Sequence, residues 1–256
     1  MSEASDRVLV VGATGRTGRH VVPALSERGL TPVALARDEQ RAASLLPGTE
    51  IVVGDLEDIA SLRAALRGID DIVFVHGSDA DSRADSVRRV DYGGVVNVLR
   101  ALDGAKARLV LQTSIFVTRR DHYFNDGAHA LDWKRRSERV VRLSGLPYTV
   151  VRPGWLDGGD AGRHVTLEQG DAGEGGIDRA VLGALLAETV RNEASLGKTF
   201  EVYSGPGSPT GDWTALFGQA ARDSASAADG VKDTDNMPLA DEPVDVRADL
   251  SALRTD

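Results

Sequence analysis

The sequence of 256 residues contains no cysteine, which excludes disulfide bonds and thiolate chemistry. It also lacks any apolar run near the roughly 20 residues that a membrane-spanning helix needs. Its first six residues are polar and too few to form a secretory signal peptide. These absences predict a cytoplasmic protein that does not act at a membrane.

An excess of positive charge is missing as well. The chain carries 39 acidic and 30 basic side chains, for a formal net charge of −9. Because nucleic-acid-binding domains rely on a basic surface, this balance argues against a nucleic-acid partner. The five histidines show no His-Glu-x-x-His pattern and no other ligand spacing, so we expect no metal site.

A glycine-rich turn near the N-terminus lies between a predicted strand and a predicted helix. Residues 8–11 are apolar and predict a strand buried on both faces. The spacing Gly-x-x-Gly-x-x-Gly follows, in place of the G-x-G-x-x-G of most dinucleotide dehydrogenases. Such a turn lets the backbone approach a pyrophosphate, and the helix N-terminus favours an anion. The residues expected to form this dinucleotide site are Gly12, Thr14, Gly15, Arg16, Thr17 and Gly18.

Strand and helix patterns alternate along the rest of the chain. This alternation predicts an α/β fold, a doubly wound parallel (Rossmann-like) sheet of about seven strands with helices on both faces. We expect a single domain over residues 1–256. Residues 7–152 would form the dinucleotide-binding core, and residues 153–256 mostly elements on the substrate side and a C-terminal tail. The tail beyond residue 223 is acidic and poor in large apolar residues, so we expect loose order there.

Two further segments have a distinct pattern. Residues 82–102 predict a long helix that is weakened at Gly93 and Gly94. This helix is suited to pack against a second subunit, so a homodimer is one expected arrangement. Residues 164–168 predict a short strand between two glycine-rich turns, at 158–160 and 170–176, which we interpret as flexible segments suited to a lid.

Ligands of doubly wound sheets bind at the carboxyl ends of the strands. Arg37 follows the second strand, where an arginine suits the 2′-phosphate of NADP and an acidic residue suits the ribose of NAD. Together with Arg16 it favours NADPH, because a guanidinium binds phosphate through a fork of donors. The alternative is that Arg37 is a solvated strand end and Asp38 only a helix cap.

The third and fourth strands end on further candidates for the cofactor site. Asp55 and Leu56 would flank the adenine, although Asp55 suits a helix cap nearly as well. His76 and Gly77 follow the fourth strand, where the backbone must pass close to the cofactor. A lone histidine at such a place is more often structural than catalytic.

Six segments together resemble a known family: residues 12–18 (GATGRTG), 53–56 (VGDL), 90–97 (VDYGGVVN), 110–114 (VLQTS), 134–138 (KRRSE) and 144–154 (SGLPYTVVRPG). In this order they resemble the NmrA-like, NAD(P)H-binding branch of the atypical short-chain dehydrogenase/reductase superfamily. The resemblance spans roughly residues 7–205. It implies the fold and a nicotinamide cofactor, and it says little about the substrate, because members include reductases, quinone reductases, epimerase-like enzymes and non-catalytic redox sensors.

The resemblance also implies roles for individual residues. Thr113 and Ser114 would face the nicotinamide and a substrate oxygen. Lys134 would hold the nicotinamide ribose, and Pro153 and Trp155 would run beside the ring.

One departure from the wider superfamily bears on the chemistry. Most of its reductases carry Tyr-x-x-x-Lys, which places a phenol and an ammonium on one helical face so that the tyrosine can donate a proton. Here Ala130 stands four residues before Lys134. Tyr123, beside His122 in a polar loop, is a candidate for a substitute acid, although aromatic side chains near a cleft more often shape a pocket. The catalytic candidates are therefore Ser114, Lys134 and Tyr123.

The missing tyrosine affects which hydride acceptor we expect. A simple ketone would become an alkoxide, which needs a proton at once. A quinone becomes a phenolate whose charge spreads over the ring, so water can supply the proton later. We therefore expect NADPH-dependent reduction of a quinone-like or activated carbonyl aromatic substrate. The expected pocket wall, whose alternative role is core packing, consists of Phe116, Tyr123, Phe124, Trp133 and Trp155.

A second hypothesis is a non-catalytic protein that senses NADP(H). The missing tyrosine supports it equally, and it predicts dinucleotide affinity without turnover. A nucleotide-sugar epimerase or dehydratase is the weakest of the three hypotheses, because those reactions rely on the Tyr/Lys pair.

Overall fold

A sheet of eight strands forms the centre of the computed structural model, which describes residues 6–78, 83–156 and 164–253. The strands in chain order, two of which form a separate small sheet, are β1 (Arg7–Val11), β2 (Thr31–Ala36), β3 (Glu50–Val53), β4 (Asp71–Phe74), β5 (Arg108–Gln112), β6 (Tyr148–Pro153), β7 (Trp155–Leu156), β8 (His164–Glu168), β9 (Gly176–Ile177) and β10 (Lys198–Gly205). The α-helices are α1 (Gly18–Glu27), α2 (Glu39–Leu45), α3 (Ile59–Ala65), α4 (Ala84–Val87), α5 (Gly94–Leu102), α6 (Ala130–Leu143), α7 (Arg179–Arg191), α8 (Trp213–Gly218) and α9 (Val244–Ala252).

The strand order in the large sheet is β3-β2-β1-β4-β5-β6-β10-β8. All neighbours pair in parallel except β8, which pairs antiparallel with β10. The order reverses between β1 and β4, and ligands of such sheets bind in the crevice outside the carboxyl ends at that reversal. The prediction of a doubly wound, Rossmann-like fold is therefore confirmed.

The strand count exceeds the expected seven by one. The extra strand is β8, whose side chains alternate between exposed and covered, with Val165 buried. This alternation is typical of a half-covered edge strand. The pattern predicted the strand itself, but its place in the sheet depends on long-range pairing with β10. The glycine-rich turn at residues 158–160, interpreted as part of a lid, lies outside the described residues.

Helices cover both faces of the sheet and enclose two apolar cores. One core lies under α1, α7 and α8 and includes Val10, Leu25 and Leu186. The other lies under α3, α5, α6 and α9 and includes Leu9, Phe74 and Val140. Among the helices in the described ranges, none combines the length and the apolar character that crossing a bilayer requires.

The predicted helix over residues 82–102 begins at a position outside the described residues, and its irregular part ends at Gly93, next to the expected break or weak point at Gly93 and Gly94. Gly93 and Gly94 keep helical backbone angles, with φ near −58° and −59°. The irregularity is a π-helical turn over Arg88–Gly93, between α4 and α5. A π-helical turn contains one residue more than an α-helical turn. Residue propensities for helix do not distinguish the two, so the sequence pattern did not predict it.

The C-terminal tail is ordered through residue 253, so the expectation of loose order is wrong for residues 223–253. Arginines on α6 hold it by buried ion pairs. Arg139 lies 2.6 Å from both Asp229 and Glu242, and Arg136 lies 2.7 Å from Glu242. The carboxylates of this acidic tail pair with buried arginines. These ion pairs hold the tail in place of the apolar contacts that its sequence lacks.

A cluster of buried charges joins this tail to the sheet. Arg152 of β6 lies 2.7 Å from Glu138 of α6, 2.7 Å from Asp233 of the tail and 3.0 Å from Glu201 of β10. Burial alone would raise the pKa of Asp233, but the hydrogen bonds and charge of Arg152 hold it well below its usual value. Burial raises the pKa of Glu201 to about 7 in spite of Arg152. The tail therefore completes an ion network inside the protein.

We expect Asp233→Asn to lower the free energy of unfolding at pH 7 by about 3 kcal/mol, because it removes one partner of a buried pair. Asp233→Asn and the wild type are compared by urea denaturation. Asp235→Asn is the matched control, since that side chain is exposed two residues away, and its effect should stay within about 0.5 kcal/mol.

The stability that Asp233 contributes should depend on pH in one direction. Because the folded pKa of Asp233 lies below the ordinary 3.8, its stabilisation is present above pH 3.8 and is lost as the pH falls further. The gap between wild type and Asp233→Asn should therefore close in acid. Equal stability of the two proteins at pH 7 would contradict the assigned role of the tail.

Candidate functional site

The glycine turn after β1 is shaped by close backbone contacts. Gly12 has φ +92°, and a Cβ there would lie 2.7 Å from the backbone nitrogen of His76. A Cβ at Gly18 would lie 2.3 Å from the carbonyl oxygen of Gly12. Both positions therefore exclude any side chain, and Gly12 brings the ends of β1 and β4 together.

The start of α1 fits an anion. Thr17 at the cap position is buried, and its side chain makes no capping hydrogen bond. The first N–H groups of a helix lack intrahelical partners and carry its positive dipole end. Thr14 is half-buried and Gly15 and Arg16 are exposed around this turn. In this turn the N–H groups of Arg19, His20 and Val21 donate to the carbonyls of Gly15 and Thr17. The expected pyrophosphate site stays a prediction, which the dipole of α1 favours.

The ends of β2 and β3 carry the candidates for the adenosine end of a dinucleotide. Arg37 is exposed, and Asp38 caps α2 by accepting from the Arg41 N–H at 2.9 Å. Asp55 is half-buried and accepts a hydrogen bond from the backbone N–H of Glu57. The residue that caps α3 is Asp58. Asp38 is therefore a helix cap, and Asp55 is not one.

Leu56 is held by the 90–97 segment that carried part of the resemblance. The Asn97 side chain donates to the Leu56 carbonyl at 2.8 Å. A Cβ at Gly94 would lie 2.9 Å from the Leu56 side chain and 3.3 Å from His76 Nε2. The asparagine and the glycine thus fix the loop after β3 against α5.

His76, after β4, makes one side-chain hydrogen bond, and its Nδ1 is buried without a partner among the described residues. Its Nε2 lies 3.0 Å from the Val90 carbonyl, and burial lowers its pKa to about 4. A neutral imidazole at neutral pH follows, with Nε2 as the donor. Gly77 is exposed next to it, and a Cβ at Gly77 would lie 3.6 Å from Lys134 Nζ.

Lys134 is fixed by an ion pair that sequence reasoning missed. Its Nζ lies 2.5 Å from Asp91 Oδ1, and Ser78 donates to Asp91 Oδ2 through both its hydroxyl and its backbone N–H. Asp91 belongs to the π-turn, and its side chain is 2% exposed. Burial opposes ionisation of Asp91, but Lys134 and Ser78 keep its pKa below the usual value. The ammonium group of Lys134 therefore lies near Gly77, at the carboxyl end of β4.

The ends of β5 and β6 bring Ser114 beside Pro153. Ile115 N–H donates to the Pro153 carbonyl at 3.1 Å. The Thr113 hydroxyl donates to Glu138 at 2.6 Å and is buried. The Ser114 Oγ is buried without a hydrogen-bond partner among the described residues. Of the two hydroxyls, only that of Thr113 has a hydrogen-bond partner among the described residues.

Aromatic rings after β5 and β6 form a surface that we call the aromatic shelf: Phe116, His122, Tyr123, Phe124 and Trp155. Neighbouring ring centroids lie 4.4 to 5.7 Å apart. Tyr123 is 60% exposed and Phe124 is 38% exposed. Tyr123 and Phe124 therefore present apolar area to solvent. Phe116 is 2% exposed and packs in a core cluster with Val117 and Leu131, so core packing, the alternative, is its role.

Trp133 is not part of this wall. Its ring packs against Tyr92 and lies under the guanidinium groups of Arg88 and Arg136. It stands one residue before Lys134 on α6 and so faces another side of the helix. Its role is packing between α6 and the π-turn.

No group of three or more histidine, aspartate or glutamate side chains within the described ranges is arranged to hold a metal ion.

Comparison with known proteins identifies relatives. Residues 12–193 match a family described as NAD(P)H-binding. Sanguinarine reductase of Eschscholzia californica is 28% identical over 86% of this chain and 98% of its own length. Quinone oxidoreductase 2 of Escherichia coli is 26% identical over 85% of this chain and 74% of its own length. A solved Bacillus halodurans structure described as an NAD-dependent epimerase/dehydratase is 29% identical, with TM-score 0.74 over 84% of this chain and 100% of that one.

We expect Lys134→Met to lower the free energy of unfolding at pH 7 by about 2 kcal/mol, because the buried Asp91 carboxylate loses its cation. Lys106→Met is the control, since Lys106 is exposed. Both are measured by urea denaturation. Asp91 has a lowered pKa in the wild type, so the deficit of Lys134→Met should shrink as the pH falls below the ordinary aspartate range. A deficit that does not depend on pH would contradict the ion pair as its cause.

Proposed function

Because this chain belongs to the NAD(P)H-binding family, we propose that it is an NADPH-dependent reductase of quinone-like or activated carbonyl aromatic substrates. The observation that carries this proposal is the pairing of two features at one sheet edge. The Ser114 hydroxyl is buried and lacks a partner among the described residues, and the aromatic shelf follows it in the chain. A polar group near exposed aromatic side chains is the kind of lining that binds an aromatic carbonyl compound.

NADPH, when bound, supplies the hydride for such a reduction. Around it, Gly12 and Gly18 leave room for the backbone to approach the diphosphate, and Lys134 presents its ammonium beside Gly77. In this proposal Lys134 holds ribose hydroxyls. The ion pair with Asp91 fixes its position before any ligand arrives, which lowers the entropy cost of binding.

The acceptor class follows from the side chains that the site lacks. Ala130 stands where the wider superfamily has its tyrosine acid. The proposal assigns to Ser114 a hydrogen bond to the substrate oxygen, and it assigns the final proton to water, because a quinone leaves a delocalised phenolate. Tyr123 is largely exposed at the outer part of the shelf, so its role as a proton donor stays a prediction. The names of the two reductase relatives support an aromatic acceptor.

The cofactor in this proposal is NADP(H) rather than NAD(H). Arg37 is exposed at the end of β2, and Asp38 is turned to the helix cap. Because the carboxylate of Asp38 caps the helix, the charged group at the end of β2 is the guanidinium of Arg37. A guanidinium suits a 2′-phosphate. The homodimer, the cytoplasmic location and the division of the chain near residue 152 stay predictions.

A sensor of NADP(H) without turnover is the second candidate. The observation that favours it is again Ala130, since a site without an acid is what a sensing protein would retain. The two functions differ in one measurable respect, which is the consumption of NADPH in the presence of an acceptor.

We expect the purified protein to oxidise NADPH with 1,4-naphthoquinone and not with acetophenone, because only the quinone product is stable without an immediate proton. The rate is followed by the loss of NADPH absorbance. Phe124→Ala should raise the KM for the quinone about fivefold by removing part of the shelf. Leu239→Ala, another exposed apolar residue, is the control. If the protein binds NADPH but neither acceptor leads to its oxidation, the reductase proposal is wrong and the sensor proposal is favoured.

We expect Arg37→Gln to weaken NADP⁺ binding about tenfold, because a charge-assisted contact to the 2′-phosphate is lost. Binding of NAD⁺ should not change. Both affinities are measured by calorimetric titration, with Arg63→Gln on the exposed side of α3 as the control. An equal loss for NAD⁺ and NADP⁺ would show that Arg37 does not distinguish the two.

A further inference from the structure

The turn after β8 carries a buried carboxylate that bonds to the segment following Ser114. Asp171 is 3% exposed, and an aspartate is rarely buried to this degree without partners. Its Oδ1 accepts from the backbone N–H of Phe116 at 2.5 Å. Its Oδ2 accepts from both the backbone N–H and the hydroxyl of Thr118, each at 2.8 Å. Three donors of one short segment, residues 116–118, thus converge on a single side chain.

Asp171 is itself held from two sides. Its backbone N–H donates to Glu201 of β10 at 3.1 Å, and Glu201 also accepts from Arg152 at 3.0 Å. The guanidinium of Arg119 donates to the backbone carbonyls of residues 171–173 at 2.9 to 3.3 Å. The Asp171 carboxylate is therefore connected to the buried ion network around Arg152.

Both partners of this contact have an unusual backbone conformation. Phe116 has φ +72° and Asp171 has φ +55°, in the left-handed region that residues with a bulky side chain rarely adopt. Such a conformation persists only where the surroundings hold it, and it is concentrated at active sites and binding sites. The carboxylate supplies this hold, because the N–H that it bonds belongs to the strained Phe116.

The residue whose placement depends on this contact is Ser114. Strand β6 holds the backbone on both sides of it, through the N–H groups of Thr113 and Ile115. The next N–H along the chain, that of Phe116, bonds to Asp171 instead. Asp171 therefore continues the hold on the backbone where the pairing with β6 ends, and it sets the direction in which the chain leaves Ser114.

We propose that Asp171 is a positioning residue of the reductase. By holding residues 116–118 it aims the Ser114 hydroxyl at the substrate oxygen, and it touches neither substrate nor cofactor itself. The inference rests on the proposed function, which assigns that hydroxyl to the substrate. The alternative is that Asp171 only stabilises the fold. The two roles differ, because a positioning residue loses its effect once the Ser114 hydroxyl is removed, whereas a purely stabilising residue has the same effect with or without it.

The test is a double-mutant cycle with 1,4-naphthoquinone as the acceptor. Asp171→Asn places an NH₂ group where one carboxylate oxygen was, so one of the backbone N–H groups loses its acceptor. Asp171→Asn and Ser114→Ala should each lower kcat/KM for the quinone about tenfold, and the double variant should also be about tenfold lower rather than about a hundredfold. The Kd of NADP⁺, measured by calorimetry, should not change in any of them.

The matched control is Asp212→Asn. Asp212 also accepts from a backbone N–H, that of Ala215 at 2.8 Å, but at the start of α8. Its kcat/KM should equal that of the wild type. Thr118→Val removes only the hydroxyl bond to Asp171 and should lower kcat/KM about threefold, but not in the Ser114→Ala protein. It keeps the test valid if thermal melting shows that Asp171→Asn does not fold.

Two outcomes would overturn the proposal. One is an additive loss in the double variant, and the other is an unchanged kcat/KM in a folded Asp171→Asn protein. Failure of the reductase proposal has a different signature, because the wild type then binds the quinone without oxidising NADPH. Quinone binding is measured by quenching of tryptophan fluorescence, and the cycle is in that case evaluated on the Kd of the quinone, where additivity again counts against Asp171. A wild type that neither binds nor reduces the quinone would overturn both proposals.

Discussion

The positive charge of Arg152 is buried in the middle of the protein, and much of the structure is arranged to neutralise it. An unpaired charge at such a place would cost several kcal/mol. Three carboxylates from α6, β10 and the tail surround it, namely Glu138, Glu201 and Asp233. Each comes from a different part of the chain. The fold is therefore complete only when all of these segments are in position, and the requirement is electrostatic as much as hydrophobic.

The same network reaches the ends of β5 and β6, where the candidate site lies. Glu138 accepts from the Thr113 hydroxyl as well as from Arg152, so one carboxylate ties the end of β5 to β6. Ser114 and Pro153 directly follow the two residues that Glu138 holds, so their backbone positions are fixed as well. On the neighbouring strand end, Asp91 fixes Lys134 in a similar way. A site built on such supports is rigid before the ligand binds, whereas the outer rings of the aromatic shelf, Tyr123 and Phe124, remain exposed to solvent and are free to adapt.

Local patterns predicted the features that depend on local physics. The glycine turn, the alternation of strands and helices and the cap at Asp38 each depend on a few consecutive residues, and the structure has all three. The π-turn that carries Asp91, the sheet position of β8 and the ion pairs that hold the tail depend on contacts between residues far apart in the sequence. The expected pocket wall included Trp133 as an aromatic residue, whereas its ring packs against Tyr92, on another side of α6 from Lys134. The acidic tail looked unstructured because its partners, the arginines of α6, are about a hundred residues away.

The dependence of α6 on the tail also has a consequence for synthesis of the protein. Arginines at 135, 136, 139 and 142 are made well before the carboxylates at 229, 233 and 242 leave the ribosome. Until then the growing chain cannot bury these side chains without leaving them unpaired. The buried arginines of α6 therefore reach their final pairing only once the segment that contains residues 229–242 has been synthesised and has docked, and the neighbouring ends of β5 and β6 depend on the same event.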